Sequence, residues 1–125
     1  MTADDSDAFY RRLREALEAL AAERRTMTYR ELAVLAAVPE PHRIHKLTLA
    51  LEDLAREDQA AGRPLIAALA VSRGGSGLPG RGFFELLAEL GRYAGPPQGP
   101  EAAAWHAAEL ERVWSSRAPR EASGP

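Results

Sequence analysis

The apolar positions near the start of the chain fall on one side of a helix: Phe9, Leu13, Leu17 and Leu20 recur at three- and four-residue spacing, with Arg11, Arg12, Arg14, Glu15 and Glu18 on the other faces. This stripe predicts an amphipathic helix ending near Arg24 and Arg25, where cations suit the helix dipole. Thr26-Met27-Thr28 then reads as a short extended segment. Thr28 and Glu31 have the spacing of a capping box, which opens a second, short helix over 29–38. Pro39 and Pro41 end it, because each fixes φ and pushes the preceding residue out of helical geometry. Ile44, Leu47, Leu51 and Leu54 mark the buried stripe of a third helix, with Gly62 as its stop.

Past Pro64 the pattern changes. Residues 65–71 are apolar without a break and predict a strand, followed by the turn-rich stretch 73–82. Phe83, Phe84, Leu87, Leu90 and Tyr93 return to helical spacing, Gly95-Pro-Pro-Gln-Gly-Pro100 interrupts, and a last helix is expected over about 101–116. Residues 118–125 have the composition of a flexible tail. The predicted organisation is one domain over 1–117, mainly α with a small β-hairpin: a winged helix-turn-helix plus additional C-terminal helices. The helix-turn-helix covers about 28–61, the wing about 64–84, and the C-terminal helices about 83–93 and 101–116. Segment 26–28 is expected to pair with the hairpin stem.

Composition narrows the function. At 125 residues and 46% hydrophobic, the chain suits one core rather than two. The lack of cysteine excludes disulfides, thiolate catalysis and Cys-ligated zinc, and fits a reducing cytoplasm. The seven-residue apolar run 65–71 is far below the roughly 20 residues of a membrane helix, and the acidic start is the opposite of a signal peptide, so a cytoplasmic protein is expected.

Charge is laid out in blocks. Residues 23–48 carry five basic and three acidic side chains and 63–84 carry three basic and none acidic, while 1–22, 49–62 and 85–125 are each net negative. Fifteen of the sixteen cations are arginine in an Ala-rich background, a bias that GC-rich coding explains, so their placement says more than their number. The two basic blocks coincide with the helix-turn-helix and the glycine-rich wing. A compact winged helix would bring them onto one positive face for phosphate. The candidate nucleic-acid contacts are Tyr29 and Arg30 at the start of the second helix, His42, Arg43, His45 and Lys46 in the first turns of the third, and Arg73 and Arg81 flanking the wing.

Met27-Thr-Tyr-Arg-Glu-Leu-Ala33, the Arg43 helix, Arg63-Pro64, the apolar run and Gly80-Arg-Gly-Phe-Phe84 together loosely resemble the winged-helix domain of alkylguanine-DNA alkyltransferases and alkyltransferase-like proteins, over roughly 26–91. The resemblance implies a DNA-binding fold, with Tyr29 and Arg43 in the positions that help turn a damaged nucleotide out of the duplex. The family's Pro-Cys-His-Arg active site is replaced here by Pro64-Leu65-Ile66-Ala67, which excludes alkyl transfer.

Other chemistry finds little support. Gly75-Ser-Gly77-Leu-Pro-Gly80 matches G-x-G-x-x-G, but no later strand completes a dinucleotide fold, and Arg81 and Gly82 stand where a phosphate loop needs Lys and Ser or Thr. His42 and His45 have chelating spacing without a third ligand, so no metal or cofactor is expected. No Ser–His–acid grouping has a nucleophile motif, and a non-enzyme is the expectation. Trp105 and Trp114, nine positions apart, fall on opposite faces of the last helix, which predicts one indole packed under the domain and the other partly exposed, as an anchor for a protein partner or homodimer. The expected function is a DNA-binding winged-helix protein, a transcriptional regulator or DNA-processing accessory factor. The alternative is a protein-interaction module that docks through the Trp-bearing helix.

Overall fold

A computed structural model describes residues 3–74 and 77–116, with side chains from residue 8 onward. The expected tail over 118–125 and the tip of the glycine-rich loop, Gly75 and Ser76, lie outside the described residues. α1 (Ala3–Ala22) buries Phe9, Leu13, Leu17 and Leu20 as its sequence stripe requires. A short strand, β1 (Met27–Thr28), leads into α2 (Tyr29–Leu35), whose N-terminus is closed by the expected capping box. The Glu31 N–H donates to Thr28 Oγ1 at 3.2 Å, and the Thr28 N–H donates to Glu31 Oε1 at 3.3 Å. α3 (Arg43–Ala61) follows the two-proline break and stops at Gly62, whose φ of 72° is the left-handed conformation that glycine adopts freely.

Its buried stripe is not quite the one expected. Leu47, Leu51 and Leu54 face the core, but Ile44 is 45% exposed and the stripe continues instead to Asp58, which is fully buried.

The larger departure is at 64–72, where a strand and hairpin stem were expected. Ile66–Leu69 form a 3-10 turn, and β2 is the two residues Ala70–Val71. β2 pairs with β1 in parallel, Met27 opposite Ala70 and Thr28 opposite Val71, so the described residues form a small parallel sheet in place of a hairpin. An unbroken apolar run fits a fully buried helical turn as well as a strand. Here the N–H groups that open the turn find carboxylates: Leu65 N–H donates to Glu109 Oε2 at 2.7 Å, and Ile66 N–H to Asp58 Oδ2 at 3.0 Å. With those donors satisfied by side chains, no neighbouring strand is needed. Beyond β2, the Ser72 N–H donates to the Leu78 carbonyl at 2.8 Å and the Gly77 N–H to the Gly74 carbonyl at 3.3 Å.

α4 (Arg81–Glu89) starts two residues earlier and ends four residues earlier than its apolar spacing suggested, because Gly80 opens it and Gly91, at φ 73°, closes it. α5 (Pro100–Ser116) packs Ala102, His106, Glu109 and Val113 against the rest of the core. Among the described residues no helix is long and apolar enough to cross a membrane.

Candidate functional site

The expected contact residues divide into those the fold consumes and those it leaves open. Arg43 Nε donates to the Val38 carbonyl at 3.0 Å, and its guanidinium pairs with Glu40 at 3.3 Å. Lys46 Nζ reaches the Pro39 carbonyl at 3.4 Å. Both cations thus close the turn between α2 and α3, where carbonyls freed by the end of α2 need donors. His42 stands at the mouth of α3 with a left-handed φ of 59°, and both it and His45 are exposed.

Tyr29 is also structural. The Gly80 N–H donates to its hydroxyl oxygen at 2.7 Å, and burial pushes the hydroxyl's pKa up against the opposing effect of that hydrogen bond. The bond ties the first residue of α2 to the residue that opens α4, across 51 positions of sequence.

Around this junction lie three exposed arginines without a hydrogen bond or ion pair among the described residues: Arg30, Arg73 and Arg81. Arg30 follows Tyr29 and Arg81 follows Gly80. Arg73 follows Ser72, whose Oγ lies 3.6 Å from where a Cβ on Gly80 would stand. Arg73 and Arg25 also help hold the Glu31 carboxyl below its usual range, after the larger effect of the Thr28 hydroxyl and N–H. Beside the junction opens a cleft of about 580 Å³ between the glycine-rich loop and the proline-rich segment before α5, with Ser72, Pro79, Arg81, Pro97 and Gln98 on its walls. Of the three, Arg81 lines this cleft, and an exposed guanidinium without a carboxylate partner suits phosphate oxygens.

Both indoles of α5 are partly buried and pack against the core. Trp105 and Trp114 flank the buried stripe Ala102–His106–Glu109–Val113 on opposite sides, and each is wide enough to reach the core from its flank. Trp105 stacks at 6.3 Å from Phe83 and 6.2 Å from Tyr93. Trp114 lies under the Arg24 guanidinium, 5.1 Å from the ring centre, and Arg24 is itself fixed by Glu111 at 2.7 Å.

Sequence reasoning missed the buried polar seat of the 3-10 turn. Asp58 takes Arg63 Nε at 3.0 Å besides the Ile66 N–H; Glu109 takes Arg92 at 2.9 Å besides the Leu65 N–H; and His106 Nε2 lies 2.9 Å from the Ala68 carbonyl. The signal was present, since Leu47-Leu51-Leu54-Asp58 and Ala102-His106-Glu109-Val113 each keep one helical stripe through a polar member. Among the described residues no three His, Asp or Glu side chains gather as metal ligands. No family model matches the chain, and no curated protein or solved structure is detectably similar to it.

Proposed function

We propose that this chain is a non-catalytic DNA-binding protein, a regulator or DNA-processing accessory factor built on a variant of the winged helix. In it the loop over 72–80 serves as the wing, and the parallel pair β1–β2 replaces the hairpin stem. The observation that supports it is that Arg30, Arg73 and Arg81, each next in sequence to one of the residues that meet at the Tyr29–Gly80 hydrogen bond, are exposed and make no hydrogen bond or ion pair among the described residues. Phosphate contact then comes from the start of α2 and from the loop. The C-terminal half of α3 carries Glu52, Asp53, Glu57 and Asp58 against the single Arg56 and is not the phosphate surface.

Fluorescence anisotropy against a random duplex tests this reading. Neutralising three phosphates makes the affinity fall by roughly 40-fold between about 50 and 200 mM salt. The R73E/R81E double variant should lose at least about tenfold at low salt, a change of about 1.4 kcal/mol. No binding of the wild type at low salt, or binding indifferent to R73E/R81E, would overturn the reading.

A further inference from the structure

The cleft of about 580 Å³ beside the Gly80 junction has the size of a site for a small organic molecule, which is typically about 300–1,000 Å³. Its polar side chains come from three separate segments: Ser72 just after β2, Arg81 at the first position of α4, and Gln98 in the proline-rich stretch before α5. None of the three makes a side-chain hydrogen bond or ion pair among the described residues. The rest of the wall is largely apolar, with Leu78 and Pro79 buried and Pro97 half-buried. Apolar walls with a few convergent polar groups, none of them satisfied by the protein, are the marks of a ligand site.

Arg81 is the one charged side chain on these walls among the described residues. Glu85, one turn further along α4, lines the smaller adjoining cleft and forms no ion pair with Arg81, so the guanidinium keeps its donors open. A single guanidinium fork matches the two oxygens and the single charge of a carboxylate. A phosphate dianion would bring a second charge that no wall residue answers, and a DNA backbone has no apolar body to set against Leu78, Pro79 and Pro97. An apolar body attached to the carboxylate removes those three side chains from water. We propose that this cleft binds a small organic acid, its carboxylate on Arg81 and its apolar body against Leu78, Pro79 and Pro97. Arg81 meets one anion at a time, so under the DNA reading the acid competes with phosphate at that arginine, while the acid site itself does not depend on that reading.

Heteronuclear NMR titration of the full chain without DNA, at constant ionic strength, tests the site with hexanoate, acetate and hexanamide as probes. Hexanoate should shift the Ser72, Leu78 and Arg81 amide resonances saturably at millimolar concentrations. It should bind at least about tenfold more tightly than acetate, which has the charge without the body, and than hexanamide, which has the body without the charge. R81Q should weaken hexanoate at least about tenfold while melting like the wild type, and R11Q, exposed on α1, should leave its binding unchanged. No saturable shift in the cleft up to about 20 mM hexanoate, binding indifferent to R81Q, or acetate or hexanamide bound as tightly as hexanoate would overturn the proposal.

Discussion

Arginine does opposite work at the two ends of the β2 segment. At the seat of the 3-10 turn, Arg63 and Arg92 face Asp58 and Glu109, carboxylates that are 0% and 2% exposed and that also receive the Ile66 and Leu65 N–H groups. A few residues further on, Arg73 and Arg81 project into solvent from the Gly80 junction with no carboxylate paired to them among the described residues. The first pair is committed to holding backbone in place, because a buried carboxylate without its donors is costly. The second pair is free to meet a ligand's charge. What separates an arginine committed to the fold from an open one is therefore the acid it faces, which a count of arginines along the chain does not reveal.

The sharpest way to break that contrast is to remove charge from each place in turn. Glu109→Ala leaves the Leu65 N–H without its acceptor and Arg92 with Gln59 as its remaining partner, and it should lower stability by about 3–5 kcal/mol. R73E/R81E should stay within about 0.5 kcal/mol of the wild type, since neither side chain makes a hydrogen bond or ion pair among the described residues and the effect of Arg73 on Glu31 is the weakest of those acting there. Urea unfolding measures both. Similar losses in the two variants would mean that the exposed arginines are as structural as the buried ones.

Those two places also differ in how far the sequence revealed them. The helices were legible because Phe9, Leu13, Leu17 and Leu20, the Thr28–Glu31 box and the Gly62 stop are local signals, each readable within a few residues. The fate of 65–71 was not local. An apolar run states that a segment is buried but not how its N–H groups are satisfied, and here the acceptors come from Asp58 on one helix and from Glu109, 44 positions beyond Leu65, on another. Of the candidate contacts, Arg30, Arg73 and Arg81 are exposed, while Arg43 and Lys46 are drawn into the α2–α3 turn. The two-proline break that predicted the turn also exposes the carbonyls that capture those cations, so the same feature placed the charges and used them.

A milder perturbation sharpens the account of the junction itself. Tyr29→Phe keeps the ring and deletes the oxygen that accepts the Gly80 N–H, at a cost of about 1 kcal/mol. Its clearest signature should be faster hydrogen exchange at the Gly80 amide, with amides of the 3-10 turn seat unchanged. Unchanged exchange at Gly80 would show that the start of α4 is held by something other than Tyr29. Faster exchange at both places would show that the junction and the seat open as one unit.

The smallest expected effect is a pH dependence belonging to the seat alone. His106 is buried on α5 against the Ala68 carbonyl, and burial lowers its pKa from the ordinary 6.5 despite the opposing effect of that carbonyl. The unfolded chain therefore takes up the proton at a higher pH than the folded one, so stability rises with pH between the two values. The contribution is fully present above about pH 6.5 and is lost as pH falls from there through the folded-state value. His106→Gln retains an N–H donor for the Ala68 carbonyl and does not titrate. Melting temperatures of the two proteins between about pH 7.5 and 5.5 isolate the histidine, because both carry the same carboxylates. The wild type should lose more on acidification than the variant, whereas parallel slopes would mean that His106 binds its proton equally well in the folded and unfolded chain. DNA affinity measured over the same range should not follow the His106 titration, since the arginines at the Gly80 junction keep their charge throughout.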